Sequence, residues 1–339
     1  MPRFAVRASS DRATLIEEAS ERLNVQPVIV EKDYWVCWTL GRIFTLPGYS
    51  GQVVFKGGTS LSKVFGAIRR FSEDVDLSVS PESLGFSEKE IEGILSRTGR
   101  AKRFEEVQKA CVEYVEGRFG RALEKAILDE LGARRGGGSW LEFSIDPKTG
   151  SPVLLFAYPA ALRVAEGYIQ QSIKLEFGSL TDQRPRGTHP IRPLIFEALK
   201  TLEPEDESVV ALEVERTFWE KATILHAEYH RPASQKIPAR FARHYSDMAS
   251  LWNHPSREAA LRDLELLERV VLFKQRFFAS GWAHYDSAKP GSLRLHPAAS
   301  RVEELKRDFN AMEAMFLGEP PIFEDVLAVL RDAEKQLNR

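Results

Sequence analysis

At 339 residues, with 43% apolar and 28% charged residues, the chain can bury a sizeable core and divide into two domains, which excludes wholesale disorder. A net charge of −2 and a pI near 6.4 exclude global basicity as a nucleic-acid signal and leave local basic patches as the alternative. Two isolated cysteines, Cys37 and Cys111, exclude a disulfide framework and a Cys-rich zinc site, and a reduced, cytoplasmic setting is the simpler reading.

The first nineteen residues lack the apolar core of a signal peptide, and no run approaches the roughly 20 apolar residues of a membrane helix, so no membrane partner is expected. Ser10 or Asp11 is expected to cap a first helix, with Leu15, Ala19 and Leu23 on one stripe. Pro27 opens a second helix carrying Glu31, Lys32 and Asp33, then Tyr34, Trp35 and Trp38, read as core packing under a sheet in preference to a base-stacking platform. Pro47 and Gly48 close that helix, and Gln52 to Phe55 is a strand. Phe86 to Arg97 and Arg103 to Leu131 are expected helices, followed by a Gly-rich connection over 132–138.

Trp140 to Ile145, Val153 to Ala157 and Tyr168 to Phe177 show strand character and would complete a mixed sheet. Thr181 to Pro193 has no periodic pattern and reads as a loop; Glu203 to Glu207 is an acidic break, and Val209 to Val214 one more strand. Val214, Phe218, Ala222, Leu225 and Tyr229 make one helical stripe and Phe241, Tyr245, Met248 and Trp252 another. Helices over Arg301 to Phe316 and Ile322 to Leu337 finish the chain, so the expected lobes are 1–205 and 206–339.

Chemistry concentrates in VVFKGGTSLSKVFGAIRRFSEDVDLSV, Val53 to Val79. Gly57 and Gly58 let backbone amides approach a phosphate, and Thr59 or Ser60 adds a hydroxyl at a helix start. Side chains alternate along a strand, so Asp74 and Asp76 share a face, a geometry that suits a hard, oxygen-seeking cation such as Mg²⁺. A further carboxylate is expected from a neighbouring strand: Glu176, alternating with Ile173, Leu175 and Phe177, or else Glu142. Arg69 and Arg70 could contact phosphates; Arg134, Arg135, Arg184, Arg186 and Arg192 fall on presumed loops and could meet an RNA backbone, though each singly is an ordinary surface charge. Arg240, His244 and Asp247 at i, i+4, i+7 would form one polar helix edge. The seven histidines show no zinc-ligand spacing.

FKGGTSLSKVFGAIRRFSEDVDLSV, preceded by EKDYWV at Glu31 to Val36 and followed by TFWEKATILHAEYHR and ARHYSDMASL, resembles the nucleotidyltransferase AbiEii/AbiGii toxins. These are the toxic halves of bacterial toxin–antitoxin and abortive-infection pairs. The resemblance implies an α+β, polymerase-β-like mixed sheet with flanking helices and a helical C-terminal lobe, both lobes contributing to the active site. It implies a nucleoside triphosphate substrate, Mg²⁺ (or Mn²⁺), a cognate antitoxin, and an RNA acceptor, with the tRNA 3′ end as the expected target and arrest of translation as the result. Gly57, Gly58, Thr59 and Ser60 match its triphosphate turn, with Lys63 and Arg70 beside them as nucleotide-binding residues. Asp74 and Asp76 match its metal pair, Lys221 its essential lysine, and Asp247 the first aspartate of its R-D-x-x-D motif, where Ser250 replaces the second. Transfer to a protein or small molecule, phosphoryl transfer, and a non-catalytic nucleotide- or RNA-binding module are the rival readings.

Overall fold

The structure, a computed structural model, describes residues 3–49, 51–72, 74–87, 93, 96–163, 170–278 and 280–339. The expected helix over 86–97 falls largely outside the described residues, as does the start of the expected strand at Tyr168. Two compact units emerge: Met1–Val64 with Ser72–Ala211, and Phe65–Phe71 with Leu212–Arg339.

The first unit is built on seven strands: β1 (Val53–Lys56), β2 (Asp74–Val79), β3 (Leu141–Ile145), β4 (Pro152–Phe156), β5 (Ile173–Gly178), β6 (Arg186–Ile191) and β7 (Glu207–Leu212). Their order is β3-β4-β5-β2-β1-β7-β6. β2 runs parallel to β5 and β1 to β7, whereas β1–β2, β3–β4 and β4–β5 are antiparallel, so the sheet is mixed and the fold α+β. Alternation decides the faces. Val75 and Leu77 of β2 register with Leu175 and Phe177 of β5, all fully buried, while Asp74, Asp76, Lys174 and Glu176 turn to the other, half-open face.

The helix Pro27–Thr45 packs Trp35 and Trp38 into this core; Trp35 stacks on Tyr158 at 5.7 Å and Trp38 on Phe156 at 5.8 Å between ring centroids. Rings this deeply buried, each contributing about 1.5–3 kcal/mol by leaving water, are core and offer no platform to a base. The expected helix over 103–131 is two helices, Arg97–Tyr114 and Gly120–Leu131, joined by a wider turn at Val115–Phe119.

Two readings need correction here. Arg186–Ile191, expected within a loop, is an edge strand; it carries little apolar alternation because only Ile191 is buried, and Pro190 is tolerated at an edge where a donor is dispensable. The first helix, Ser9–Leu23, starts after Ala8, which provides no side-chain cap, so neither Ser10 nor Asp11 caps it; its buried face runs through Arg12, Ile16, Ala19 and Ser20.

The second unit is helical. Its main helices are Val214–Tyr229, Arg243–Asn253, Leu264–Phe277, Val302–Asn310 and Phe323–Leu337. Phe218, Ala222 and Leu225 meet Tyr245, Met248 and Trp252 in its core, with Phe218 and Trp252 stacked at 6.3 Å. Leu264–Phe277, capped by Asp263 accepting from the Leu266 N–H at 2.9 Å, is a helix not separately anticipated. Segment Phe65–Phe71 joins this unit through an antiparallel bridge of Arg70 with Phe316, flanked by Phe71 N–H to the Met315 carbonyl (2.6 Å) and Leu317 N–H to the Arg69 carbonyl (3.0 Å). Among the described residues no helix is long and apolar enough to cross a membrane.

Candidate active site

The turn after β1 is shaped around a carboxylate. Gly57 adopts φ +81°, and a Cβ placed there would lie 2.1 Å from Asp76 Oδ2, so both its backbone conformation and its missing side chain are required. The helix Gly57–Lys63 begins at this glycine, so its first residue lies against Asp76. The Thr59 hydroxyl donates to the Asp74 carbonyl, tying this helix to β2, and the Ser60 hydroxyl donates to the Gly57 carbonyl at 3.1 Å. Both hydroxyls therefore have main-chain partners that hold the turn in shape.

Across the sheet, Asp76 registers with Lys56 on one side and Glu176 on the other, and Asp74 with Lys174. Lys174 Nζ bonds Glu176 at 2.8 Å and Asp146 at 3.3 Å; burial lowers its pKa, but these carboxylates and Asp74 outweigh burial and raise it. Asp74, Asp76 and Glu176 supply only carboxylate oxygens, a donor set that fits a hard divalent cation. Among the described residues no three His, Cys, Asp or Glu side chains already form a metal-holding group; the carboxylate of Glu176 is turned to Lys174. Glu142, the other candidate ligand, lies on β3, three strands from β2, or about 14 Å at ordinary strand spacing.

Lys63 does not stand free for a nucleotide: its ammonium pairs with Asp33 at 2.7 Å and donates to the Arg192 carbonyl at 3.0 Å. Burial alone would depress its pKa, but Asp33 reverses the sign and holds it charged. This explains the charged run inside a buried helix. Asp33 also accepts from the Leu194 N–H at 2.7 Å, and Glu31 from the Ala161 N–H at 2.5 Å, so the pair pins two later segments of the unit.

In the second unit, Asp247 is the centre of a buried charge cluster. Arg70 grips it with two bonds, Nε to Oδ1 at 2.7 Å and Nη2 to Oδ2 at 2.9 Å, and Lys221 Nζ donates to Oδ2 at 2.8 Å. Lys221 also sits 2.9 Å from His244 Nδ1. Burial would raise the Asp247 pKa, but Arg70 and Lys221 drive it far down and keep it ionised. Burial, then the adjacent Lys221, pushes His244 well below its usual range, so the imidazole is neutral and its Nδ1 accepts from the ammonium. Burial lowers the Lys221 pKa, Asp247 opposes that shift, and Arg70 adds to it, so Asp247 is what favours the charged lysine here. The cluster opens on a cavity of about 450 Å³ whose walls include Arg69, Arg70, Asp247 and Ser250. Ser250 thus shares the cavity wall with Asp247, one helical turn away. Arg240, expected on the same helix edge, precedes the helix with φ +62°, its N–H bonded to Asp308 at 2.6 Å.

Of the other arginines, Arg192 is bonded through two nitrogens to Asp206, and Arg186 donates to Gln183 at 3.0 Å. The partner missed in the sequence is Arg70 for Asp247; 177 residues separate them, beyond any local pattern.

An α+β protein whose glycine turn is seated against one of two carboxylates on a strand has the juxtaposition expected of enzymes that handle nucleotides. A profile of the nucleotidyl transferase AbiEii toxin family, type IV toxin–antitoxin system, matches residues 38–329. The chain belongs to this family and is a nucleotidyltransferase toxin. The matched span contains Gly57 to Ser60, Asp74, Asp76, Glu176, Lys221 and Asp247, whereas the Glu31 to Val36 run precedes it. Among solved structures the chain is similar to MenT4, a nucleotidyltransferase toxin from Mycobacterium tuberculosis H37Rv, with 15% identity and a TM-score of 0.44 over 95% of this chain and 92% of that one. A search of curated proteins found no significant match.

Proposed function

We propose that the protein transfers a nucleoside monophosphate from an NTP to an RNA acceptor, the 3′ end of tRNA, and thereby blocks translation until a cognate antitoxin intervenes. The observation that supports this best is the Asp74/Asp76 pair on one strand face, with Asp76 seated against the Gly57 Cα and Glu176 in register beside it. Asp74 and Asp76 would hold a divalent cation, Mg²⁺ or Mn²⁺, with Glu176 as a further donor in preference to the distant Glu142. When bound, such an ion supplies positive charge to the phosphate oxygens of the reacting nucleotide.

The chain's own groups would do the rest. Amides of the Gly57–Gly58 turn and of the following helix start bind the terminal phosphates. The acceptor hydroxyl attacks the α-phosphorus; the bond to the bridging oxygen breaks and pyrophosphate leaves with the electron pair. Lys221 would supply positive charge to the reacting phosphates, and Asp247, clamped by Arg70, holds the lysine in place; the 2.8 Å bond between them supports the role.

The test is incubation with bulk tRNA, Mg²⁺ and each NTP, labelled separately at the α and γ phosphates. Label from the α position on tRNA is the expected outcome. Label from the γ position on any acceptor would replace the proposal with phosphoryl transfer, and α-label on protein alone would replace the acceptor.

A further inference from the structure

Asp247 is a shared anchor for Lys221. Its Oδ2 accepts from Lys221 Nζ at 2.8 Å and from Arg70 Nη2 at 2.9 Å, while its Oδ1 is taken by Arg70 Nε at 2.7 Å. One bond to a shared oxygen leaves an ammonium on a flexible four-carbon stem able to swing about that oxygen. A second fixed point exists in His244, whose Nδ1 lies 2.9 Å from the same Nζ. On the reading of Lys221 as the lysine that serves the reacting phosphates, we propose that His244 is a positioning residue: its neutral imidazole, with Asp247, fixes the direction in which Lys221 presents its charge.

The geometry defines a two-point mount. His244 and Asp247 stand three residues apart on the helix Arg243–Asn253, so they project from one face and meet Lys221 of the helix Val214–Tyr229 together. An ammonium carries three N–H donors and no acceptor. Asp247 and His244 take two of them, and among the described residues no protein acceptor takes the third. Its direction is set by the other two, which leaves one aimed donor for a phosphate oxygen. Lys221 retains 7% exposure and His244 is half-buried, so the mount lies at the margin of the helical core and is not sealed inside it.

A neutral acceptor does at this position what a second carboxylate would not. Because the ammonium can only donate, Nδ1 is the acceptor and the imidazole proton sits on Nε2. The ring therefore orients Lys221 without cancelling its charge. Its surroundings keep it in that state: burial comes first, then Lys221 from the facing helix and Arg243 on its own helix, with Arg70 from the segment Phe65–Phe71 adding to them and Asp247 alone opposing. Phe241 packs edge-on against the ring, 4.8 Å between centroids, and restricts its rotation away from the lysine.

His244→Asn and His244→Leu separate the acceptor from the bulk of the side chain. Asparagine can place its amide oxygen one bond beyond Cγ, where Nδ1 stands, and leucine has the same branching with a methyl there. Transfer of α-label to tRNA is measured over a range of NTP concentrations for wild type, both variants and Lys221→Met, with melting curves of all four. His244→Leu is expected to lower kcat by about tenfold or more with KM for NTP within about twofold, and His244→Asn to rescue most of that loss, to within about threefold of wild type. Should His244→Leu fail to fold, His244→Ala replaces it, with added imidazole in the role of the rescuing acceptor.

Lysine-selective ¹⁵N spectra, recorded without nucleotide or metal, give a readout independent of turnover. The slowly exchanging Lys221 ammonium signal, identified by its absence from Lys221→Met, is expected to persist in His244→Asn and to vanish in His244→Leu. Equal loss of rate in the two His244 variants assigns the effect to the bulk of the ring and overturns the proposal, as does persistence of the signal in His244→Leu. An inactive Lys221→Met beside a His244→Leu within about twofold of wild type overturns the positioning role alone. Lys221→Met at the wild-type rate overturns the reading of Lys221 and the positioning role with it.

Discussion

The carboxylates of the two units are chemically alike and physically opposite. Asp74 and Asp76 stand half-open on the solvent-side face of β2, held in direction by the strand and by Thr59. Asp247 has no exposed side-chain surface and is closed in by Arg70 and Lys221. In the proposed mechanism the first pair gains a ligand, whereas the second carboxylate already has its partners and acts through the lysine. Substitutions should therefore divide into those that remove activity without touching the fold and those that damage the fold as well.

The largest expected effect is on rate. Asp74→Ala or Asp76→Ala should lower nucleotide transfer by about 10³-fold, on the scale of removing a charge-stabilising group, while the melting temperature stays near wild type. Asp247→Ala should instead lower stability by about 3–5 kcal/mol, because it leaves Arg70 and Lys221 buried without their counter-charge. Urea unfolding reads this directly; an unchanged midpoint would mean that the cluster relaxes into water and is not sealed.

Gly57→Ala falls between the classes. Its φ of +81° alone should destabilise by about 1–3 kcal/mol, and the new methyl must displace Asp76, so activity should fall further than stability. Equal activity per folded molecule would sever the turn from the carboxylate.

Dependence on pH sharpens the contrast. The Asp247 pKa is depressed in the folded state, so its contribution is fully present above the unfolded value and is lost as pH falls below about 4. Lys274 gives a slope of the same sign for the opposite reason, because its shift penalises the charged form. Burial lowers its pKa to about 7 while its ammonium donates to the Glu220 carbonyl at 3.0 Å. The unfolded state then holds a proton the folded state lacks between about pH 7 and 10.5, so stability should rise with pH across that window. Lys274→Met should flatten the rise and stabilise the protein below pH 7; a slope unchanged in the variant would assign the rise to another group.

Legibility in the sequence followed the range of the interaction. Period-two alternation in Asp74 to Val79 and Ile173 to Phe177 placed the acidic faces correctly, because strand geometry is local. Alternation failed at Arg186–Ile191, where an edge strand buries one residue and carries little apolar signal. Lys63 follows the glycine turn and is expected beside the nucleotide, yet Asp33, thirty residues earlier, pairs with its ammonium. Arg70 was legible as a cation near the carboxylate strand, but its partner Asp247 was visible only once the chain had folded. Local periodicity yields which face a residue occupies, whereas the partner on that face is a property of tertiary contact.

The strand carboxylates are central to the proposed transfer, and the most direct measurement is the initial rate of α-label transfer from NTP to tRNA by Asp76→Asn beside wild type, with melting curves of both. Loss of about 10³-fold at an unchanged melting temperature is the predicted result. A rate within threefold of wild type would contradict it and move the chemistry away from β2.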